Sequence, residues 1–350
     1  MKDFKIIVEE YSKLDLAKRK AAIATVVRVR GSSYRSPGAR MLIADDGRWV
    51  GSISGGCLEG DALRKARQVM TDNKAITVTY DTNEDSNQSL GIGLGCNGII
   101  DVLIEPAADA ISFYKSIVNI EQPVAMATIF SGSSIGEKFW IDDIQAKQSR
   151  TENIQHKGET VEAFIEFIQP GFKLIIFGGG FDARPVSQLA KSLGWEVEVT
   201  DECVAHIAPV FFPTADKLAL CDRKFIDRDF NITPYTACVL MSHNYEYDRD
   251  VLKKLVNTST PYIGIMGPRK RFDKMLNEGV LLTEEQLNRV HSPIGLDIGA
   301  EAPDEIAIAI ISEIQARFSK RDGGFLKNRT GAIHERDSNT DQVYKQVYLE

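Results

Sequence analysis

Near the start of the chain the apolar residues Phe4, Ile7, Val8, Tyr11 and Leu14 fall on one helical stripe, which predicts an amphipathic helix over 3–20. Unbroken β-branched and apolar runs follow. Residues 21–29, 41–43 and 49–53 read as strands, separated by a glycine- and proline-punctuated loop at 31–38 and a turn at Asp45-Asp46-Gly47. The third strand delivers the chain to Gly51-Ser52-Ile53-Ser54-Gly55-Gly56-Cys57-Leu58-Glu59, small residues around one thiol, and a helical pattern continues over 58–70. Strands are expected at 76–80 and 99–104. Between them lie a polar stretch at 81–88 and a second glycine-rich loop with a thiol, Leu90-Gly91-Ile92-Gly93-Leu94-Gly95-Cys96-Asn97-Gly98. A short helix near 108–118, a strand at 124–130, a polar hairpin within 141–160 and a strand at 163–168 complete this half. The run Val124-Ala125-Met126-Ala127-Thr128-Ile129 echoes Ala22-Ile23-Ala24-Thr25-Val26-Val27, as a decayed repeat or a chance match would.

Gln169-Pro170-Gly171 is the best boundary, because the pattern changes from Phe172 onward. Continuous apolar runs now alternate with helical stretches, as in a parallel sheet covered on both faces. The strand 173–177 enters Gly178-Gly179-Gly180-Phe181-Asp182-Ala183, a G-x-G-x-x-A that opens a helix stopped at Gly194. A second strand, 196–200, ends at Asp201. Glycines between a strand and a helix, with an acid following the next strand, predict a Rossmann-like doubly wound parallel sheet. On that pattern Gly178 and Gly180 would face a pyrophosphate and Asp201 a ribose, with NAD(P) or another nucleotide as ligand. Pro185 and the bulky Phe181 set this loop apart from the usual cradle, so a retained fold with an altered ligand is the other reading. A strand at 237–242 ends in His243 with Asp248 near it, a candidate acid/base pair beyond the carboxyl end of the sheet. Arg269-Lys270-Arg271 places three cations at a helix start, and Arg35, Arg40, Arg269 and Arg271 are candidate anion contacts. Pro293-Ile294-Gly295-Leu296-Asp297-Ile298-Gly299 is a further loop, and a helix from Pro303 to 318 buries Ile306, Ile310, Ile311 and Ile314.

Composition narrows the classes. At 350 residues, two domains are expected: an N-terminal mixed α/β domain over 1–168, the Rossmann-like domain over 169–320, and a polar arm or disordered tail over 321–350. A formal charge of −7 argues against a general nucleic-acid or membrane-surface binder. No signal peptide or membrane-spanning run is read, and the five cysteines, odd in number and without C-x-x-C, argue against a disulfide framework. A cytoplasmic setting follows, with a homodimer as the expectation for such a protein.

The motifs together resemble the XdhC/CoxI family, accessory proteins that mature xanthine dehydrogenase and related molybdenum hydroxylases. The resemblance rests on Gly31-Ser32-Ser33 with Pro37-Gly38, residues 51–59, Leu94-Gly95-Cys96-Asn97-Gly98 with Glu105-Pro106, the Gly178 loop, Ser242-His243 with Asp248, residues 264–271, and Pro293-Ile294-Gly295-Leu296-Asp297 with Ala302-Pro303-Asp304-Glu305. It implies a cofactor-insertion chaperone rather than a turnover enzyme. Such a protein binds the molybdenum cofactor, a molybdopterin, supports its sulfuration with a cysteine desulfurase-type donor, and hands it to the apo-hydroxylase. Cys57 and Cys96 match the family's motif cysteines. They are the candidate catalytic and metal-contacting thiols, with Gly55, Gly56, Gly95 and Gly98 around them. Thiolates suit a soft metal centre, and glycine-rich backbone suits a phosphate. Phe181 departs from the His expected of many members. Two competing readings remain: an NAD(P)-dependent oxidoreductase using the Gly178–Asp201 site, and a ligand-free scaffold that docks a sulfur donor onto the hydroxylase.

Overall fold

The computed structural model describes residues 1–82, 98–142 and 147–330. They form two compact units, one ending at Pro170 and the next beginning at Gly171.

The first unit opens with helix α1 (Lys2–Ser12), followed by β1 (Ala21–Gly31), β2 (Arg40–Ala44) and β3 (Trp49–Gly51). Helix α2 (Glu59–Asp72), β4 (Ile76–Asp81), β5 (Gly98–Pro106) and α3 (Ala107–Val118) come next, then β6 (Val124–Ile129), β7 (Lys138–Ile141), β8 (Arg150–His156) and β9 (Glu159–Ile168). Helix α1 is shorter than its pattern predicts. Beyond Leu14 the next apolar side chain, Leu16, is exposed, so no buried face extends the helix toward residue 20.

Two antiparallel sheets result, ordered β3-β2-β1-β5-β4 and β7-β6-β9-β8. The suspected repeat falls in different sheets, β1 in one and β6 in the other. One face of the five-stranded sheet, with Ala22, Ala24, Val26, Ile100, Val102 and Ile104, packs on Ala62, Ala66 and Val69 of α2. Its other face meets α1, α3 and the four-stranded sheet. That second contact carries charge. Arg40 of β2, almost wholly buried, donates to both carboxylate oxygens of Glu166 in β9 and to the Tyr114 hydroxyl, and lies 4.0 Å above the Phe4 ring. Glu105 of β5 pairs with Lys138 of β7 with both side chains buried, and Arg28 of β1 bridges Asp101 and Glu162.

Strand β1 is irregular. It pairs with β5 in steady register up to Val26 opposite Val102, and resumes with Arg28 opposite Asp101, so Val27 is an extra residue. The bulge shifts the alternation by one. Val29 joins Val26 on the α2 face, while Arg28 and Arg30 turn toward Asp101 on the other.

The second unit is a six-stranded, wholly parallel sheet. Its elements are β10 (Lys173–Phe177), α4 (Ala183–Ser192), β11 (Glu196–Asp201), β12 (Lys217–Leu220), β13 (Thr236–Leu240), α5 (Tyr245–Leu255), β14 (Tyr262–Ile265), α6 (Arg269–Asn277), β15 (Val290–His291) and α7 (Pro303–Phe318). The order β12-β11-β10-β13-β14-β15 reverses direction between β10 and β13, as the doubly wound reading requires. Alternate residues of the central strands feed two cores. Leu174, Ile176, Val197 and Val239 pack on α4 and α7, whereas Ile175, Phe177, Cys238 and Leu240 pack on α5 and α6. On α7, Ala307 and Ala309 join the buried set, while Ile306 is only half-buried at the edge of that core. Residues 331–350 of the expected tail lie outside the described residues.

Candidate functional site

In the first unit, β1, β3 and β4 end, and β2 and β5 begin, at one end of the five-stranded sheet. Both cysteine loops leave from that end. Cys96 and Gly95 lie outside the described residues, but Gly98 does not. A Cβ there would stand 2.2 Å from the Ser32 carbonyl oxygen, so the chain must be glycine where the second loop rejoins the sheet. The loop at 31–38 also reaches the first cysteine loop, with the exposed Tyr34 ring about 3.5 Å from where a side chain on Gly55 would begin.

The loop at 51–58 is held by an anion of its own. The Glu59 carboxylate, buried at the first position of α2, accepts the Ile53 N–H at 3.3 Å, the Ser54 N–H at 2.9 Å, the Ser52 hydroxyl at 2.8 Å and the Ser54 hydroxyl. The Ser54 hydroxyl oxygen in turn accepts the Gly56 and Leu58 N–H groups. Four of the loop's donors therefore serve Glu59 from within the chain rather than an external anion. What the loop leaves outward is Gly55, Gly56 and the half-exposed Cys57, with open space above Gly56 and Gly60. Burial pushes the Glu59 carboxyl up, but the Ser54 and Ser52 hydrogen bonds outweigh it and hold it below the usual carboxylate range. Its stabilising effect is therefore complete above that range and is lost as pH falls below it, through the lowered value of the folded protein. Glu59→Gln should cost about 1–3 kcal/mol in urea unfolding at neutral pH, and the gap from the parent should shrink as the solution is acidified.

Two candidate anion contacts are spent on structure. Arg40 is enclosed by Glu166, Tyr114 and Phe4, and Arg35 donates to Asp3 at 3.0 Å. Among the described residues no group of three or more His, Cys, Asp or Glu is placed to hold a metal ion.

In the second unit the topological rule places a ligand crevice beyond the carboxyl ends of β10 and β13, where the strand order reverses. Gly178 has φ +117°, and a Cβ there would lie 2.4 Å from the Ser242 backbone. Gly180 faces the His243 ring. His243 itself has φ +59°, uncommon for a non-glycine residue. Its Nε2 stands 3.3 Å from Asp182. The expected partner, Asp248, instead accepts the Ser242 hydroxyl and an Arg271 N–H, each at 2.6 Å, inside the α5 start. Burial pushes the Asp248 carboxyl up, against the Ser242 and Arg271 bonds. Arg271 is thereby engaged, and Arg269, largely exposed, donates to the Ser292 carbonyl at 2.8 Å.

Asp201 closes the loop rather than awaiting a ribose. It accepts the Gly179 N–H at 2.9 Å and the Cys203 N–H at 2.8 Å, and lies 3.0 Å from His206 Nδ1. The first turn of α4 offers little in its place, since the Ala183 and Arg184 N–H groups donate to Gly180 and Phe181 carbonyls and Pro185 has none. These contacts engage the groups that the ordinary dinucleotide pose would use. Arg184 and His206, both at this crevice, were not singled out by sequence reasoning. The Asp201-x4-His206 spacing was the available signal for the second.

Together these features define a two-unit α/β protein with a thiol loop at one sheet end and a Rossmann-like second unit. The chain belongs to the XdhC and CoxI family, whose description matches residues 15–81, with the XdhC Rossmann domain matching residues 174–314. A relative in Bacillus subtilis, described as a probable subunit of xanthine dehydrogenase, is 32% identical over 309 residues, covering 84% of this chain and 92% of its own. A relative in Escherichia coli, described as the molybdenum cofactor insertion chaperone PaoD, is 23% identical over 84% of this chain and 82% of its own. A crystal structure from Bacillus halodurans, described as a xanthine dehydrogenase, superposes with a TM-score of 0.77 at 31% identity, covering 92% of this chain and 97% of that one. No helix among the described residues is long and apolar enough to cross a membrane.

Proposed function

We propose that this protein is a maturation chaperone. It binds the molybdenum cofactor as cargo at the Cys57 loop, shelters it while a cysteine desulfurase-type donor supplies the terminal sulfur, and delivers it to an apo molybdenum hydroxylase in the cytoplasm. The observation that carries the reading is the loop itself. Cys57 is half-exposed beside two exposed glycines, on a backbone that Glu59 holds rigid from behind. A rigid loop keeps a soft ligand and backbone donors aimed at one place before cargo arrives. Cys96, two residues before Gly98, is the second proposed thiol. The relative described as an insertion chaperone supports the same reading.

The test is metal and pterin analysis of protein purified from cells that make the cofactor. The parent chain should retain both, and Cys57→Ala should retain at least tenfold less while melting at the same temperature. A parent chain that carries neither molybdenum nor pterin and gains none on incubation overturns the proposal. If that protein still captures its hydroxylase, the scaffold reading takes its place.

A further inference from the structure

We infer that the crevice of the second unit is a nucleotide site of a different kind from a dinucleotide cradle: it takes the phosphate of a nucleoside monophosphate on the Arg184 side chain and the base on Phe181. The inference does not depend on the cofactor reading above, which concerns the other unit.

Arg184 stands in the first turn of α4, directly after the glycine loop. Its guanidinium lies over the Phe211 ring at 3.8 Å and reaches the Phe181 ring at 5.3 Å. No carboxylate pairs with it among the described residues, and its Nε is buried with no hydrogen-bond partner. Each of the other arginines around the crevice already donates to a protein acceptor, although Arg271 Nε is buried without a partner as well. Arg271 is on Asp248, Arg223 on Glu202 at 2.6 Å, and Arg269 on the Ser292 carbonyl. A buried guanidinium donor left unpaired costs free energy that an anion would recover. Stacking on a ring fixes the guanidinium plane and leaves its edge donors for an acceptor lying in that plane, the geometry that suits phosphate oxygens.

The surroundings supply the rest. His206 and His243 flank the glycine loop through Gly179 and Gly180, each with one ring nitrogen turned to an aspartate, Asp201 and Asp182. Those contacts orient the imidazoles and leave His206 Nε2 and His243 Nδ1 facing away from the carboxylates. Asp201 is spent on Gly179, Cys203 and His206, so Arg184 remains the uncompensated charge. Phe181, 66% exposed beside Gly180, presents an aromatic ring to solvent of the sort on which a base stacks, worth about 1–3 kcal/mol. The features that spoil the usual cradle, a bulky residue after the glycines and a proline in the first turn, are the ones that bring this ring and this arginine to the crevice.

The experiment is calorimetric titration of the full-length protein, purified from cells unable to make molybdopterin, with AMP, UMP, inorganic phosphate, adenosine and NAD. Both nucleotides should bind more tightly than phosphate, and adenosine and NAD more weakly than AMP. Arg184→Gln should weaken AMP, UMP and phosphate by tenfold or more. Phe181→Ala should weaken AMP and UMP toward the phosphate value while leaving phosphate unchanged. Both variants should keep the parent melting temperature, and Cys57→Ala should bind AMP as the parent does. Absence of binding by every phosphate-bearing probe overturns the inference, as does Arg184→Gln binding like the parent. Phosphate bound as tightly as AMP, or Phe181→Ala without effect, overturns the nucleotide assignment.

Discussion

Gly178→Ala is expected to remove more stability from the second unit than any exposed substitution, about 3 kcal/mol or more, read as a lowered melting temperature and rapid proteolysis of that unit. Two independent costs combine. The backbone at Gly178 sits at φ +117°, where an L-residue is strained by about 1–3 kcal/mol. The new methyl would also stand 2.4 Å from Ser242 Cα and N and 2.6 Å from Met241 C, all backbone atoms of the segment leaving β13. Those atoms cannot yield as a flexible side chain would, so β10 and β13 must part at the point where the sheet reverses direction. A neighbouring control separates this from general loop sensitivity. At Gly180 the nearest atom to a Cβ is His243 Cδ2 at 3.5 Å, ordinary contact, and no positive φ is involved. Gly180→Ala should therefore be tolerated within about 1 kcal/mol.

Arg40→Ala should destabilise the first unit by about 3–5 kcal/mol, measured by urea unfolding, because it leaves the Glu166 carboxylate buried without its partner. The damage is wider than one ion pair. Arg40 also bonds the Tyr114 hydroxyl and packs over Phe4, so α1, α3, β2 and β9 all lose a shared contact. Replacing both charges, Arg40→Met with Glu166→Leu, should recover most of the loss, since a well-packed apolar pair of similar volume avoids the stranded charge. A double variant as unstable as Arg40→Ala would mean that the geometry around Tyr114, rather than the buried charge, is what matters.

Local pattern carried the strands and helices well because their apolar faces repeat at periods that one sequence displays. The parallel sheet was legible from continuous runs such as Leu174-Ile175-Ile176-Phe177, buried on both faces, and the stop of α4 from Gly194. Partnerships over long separations were not legible. Arg40 looked like an anion contact because its partner is Glu166, on a strand of another sheet. Asp201 looked like a ribose acid because nothing local announces that Gly179, Cys203 and His206 would engage it. Glu59 stood at the end of the cysteine stretch with no role read for it, although its reach back to Ser52 and Ser54 shapes the loop. His243 was placed correctly at a strand end, but which acid it would face depends on how the α4 and α5 starts approach each other.

The extra residue at Val27 has a consequence for how firmly the first unit is indexed. Strand β1 carries two phases: even-numbered residues face α2 up to Val26, and Val29 faces it beyond the bulge. A uniform strand can slip by two and keep its apolar face inward, and thereby reach a wrong but nearly equivalent pairing. A strand of mixed phase cannot, because any slide that mends one half puts Arg28 or Arg30 into the α2 face of the other. Slippage is thus penalised at every offset, and the Gly31 end of the sheet, from which both cysteine loops depart, is held to a single address along β5.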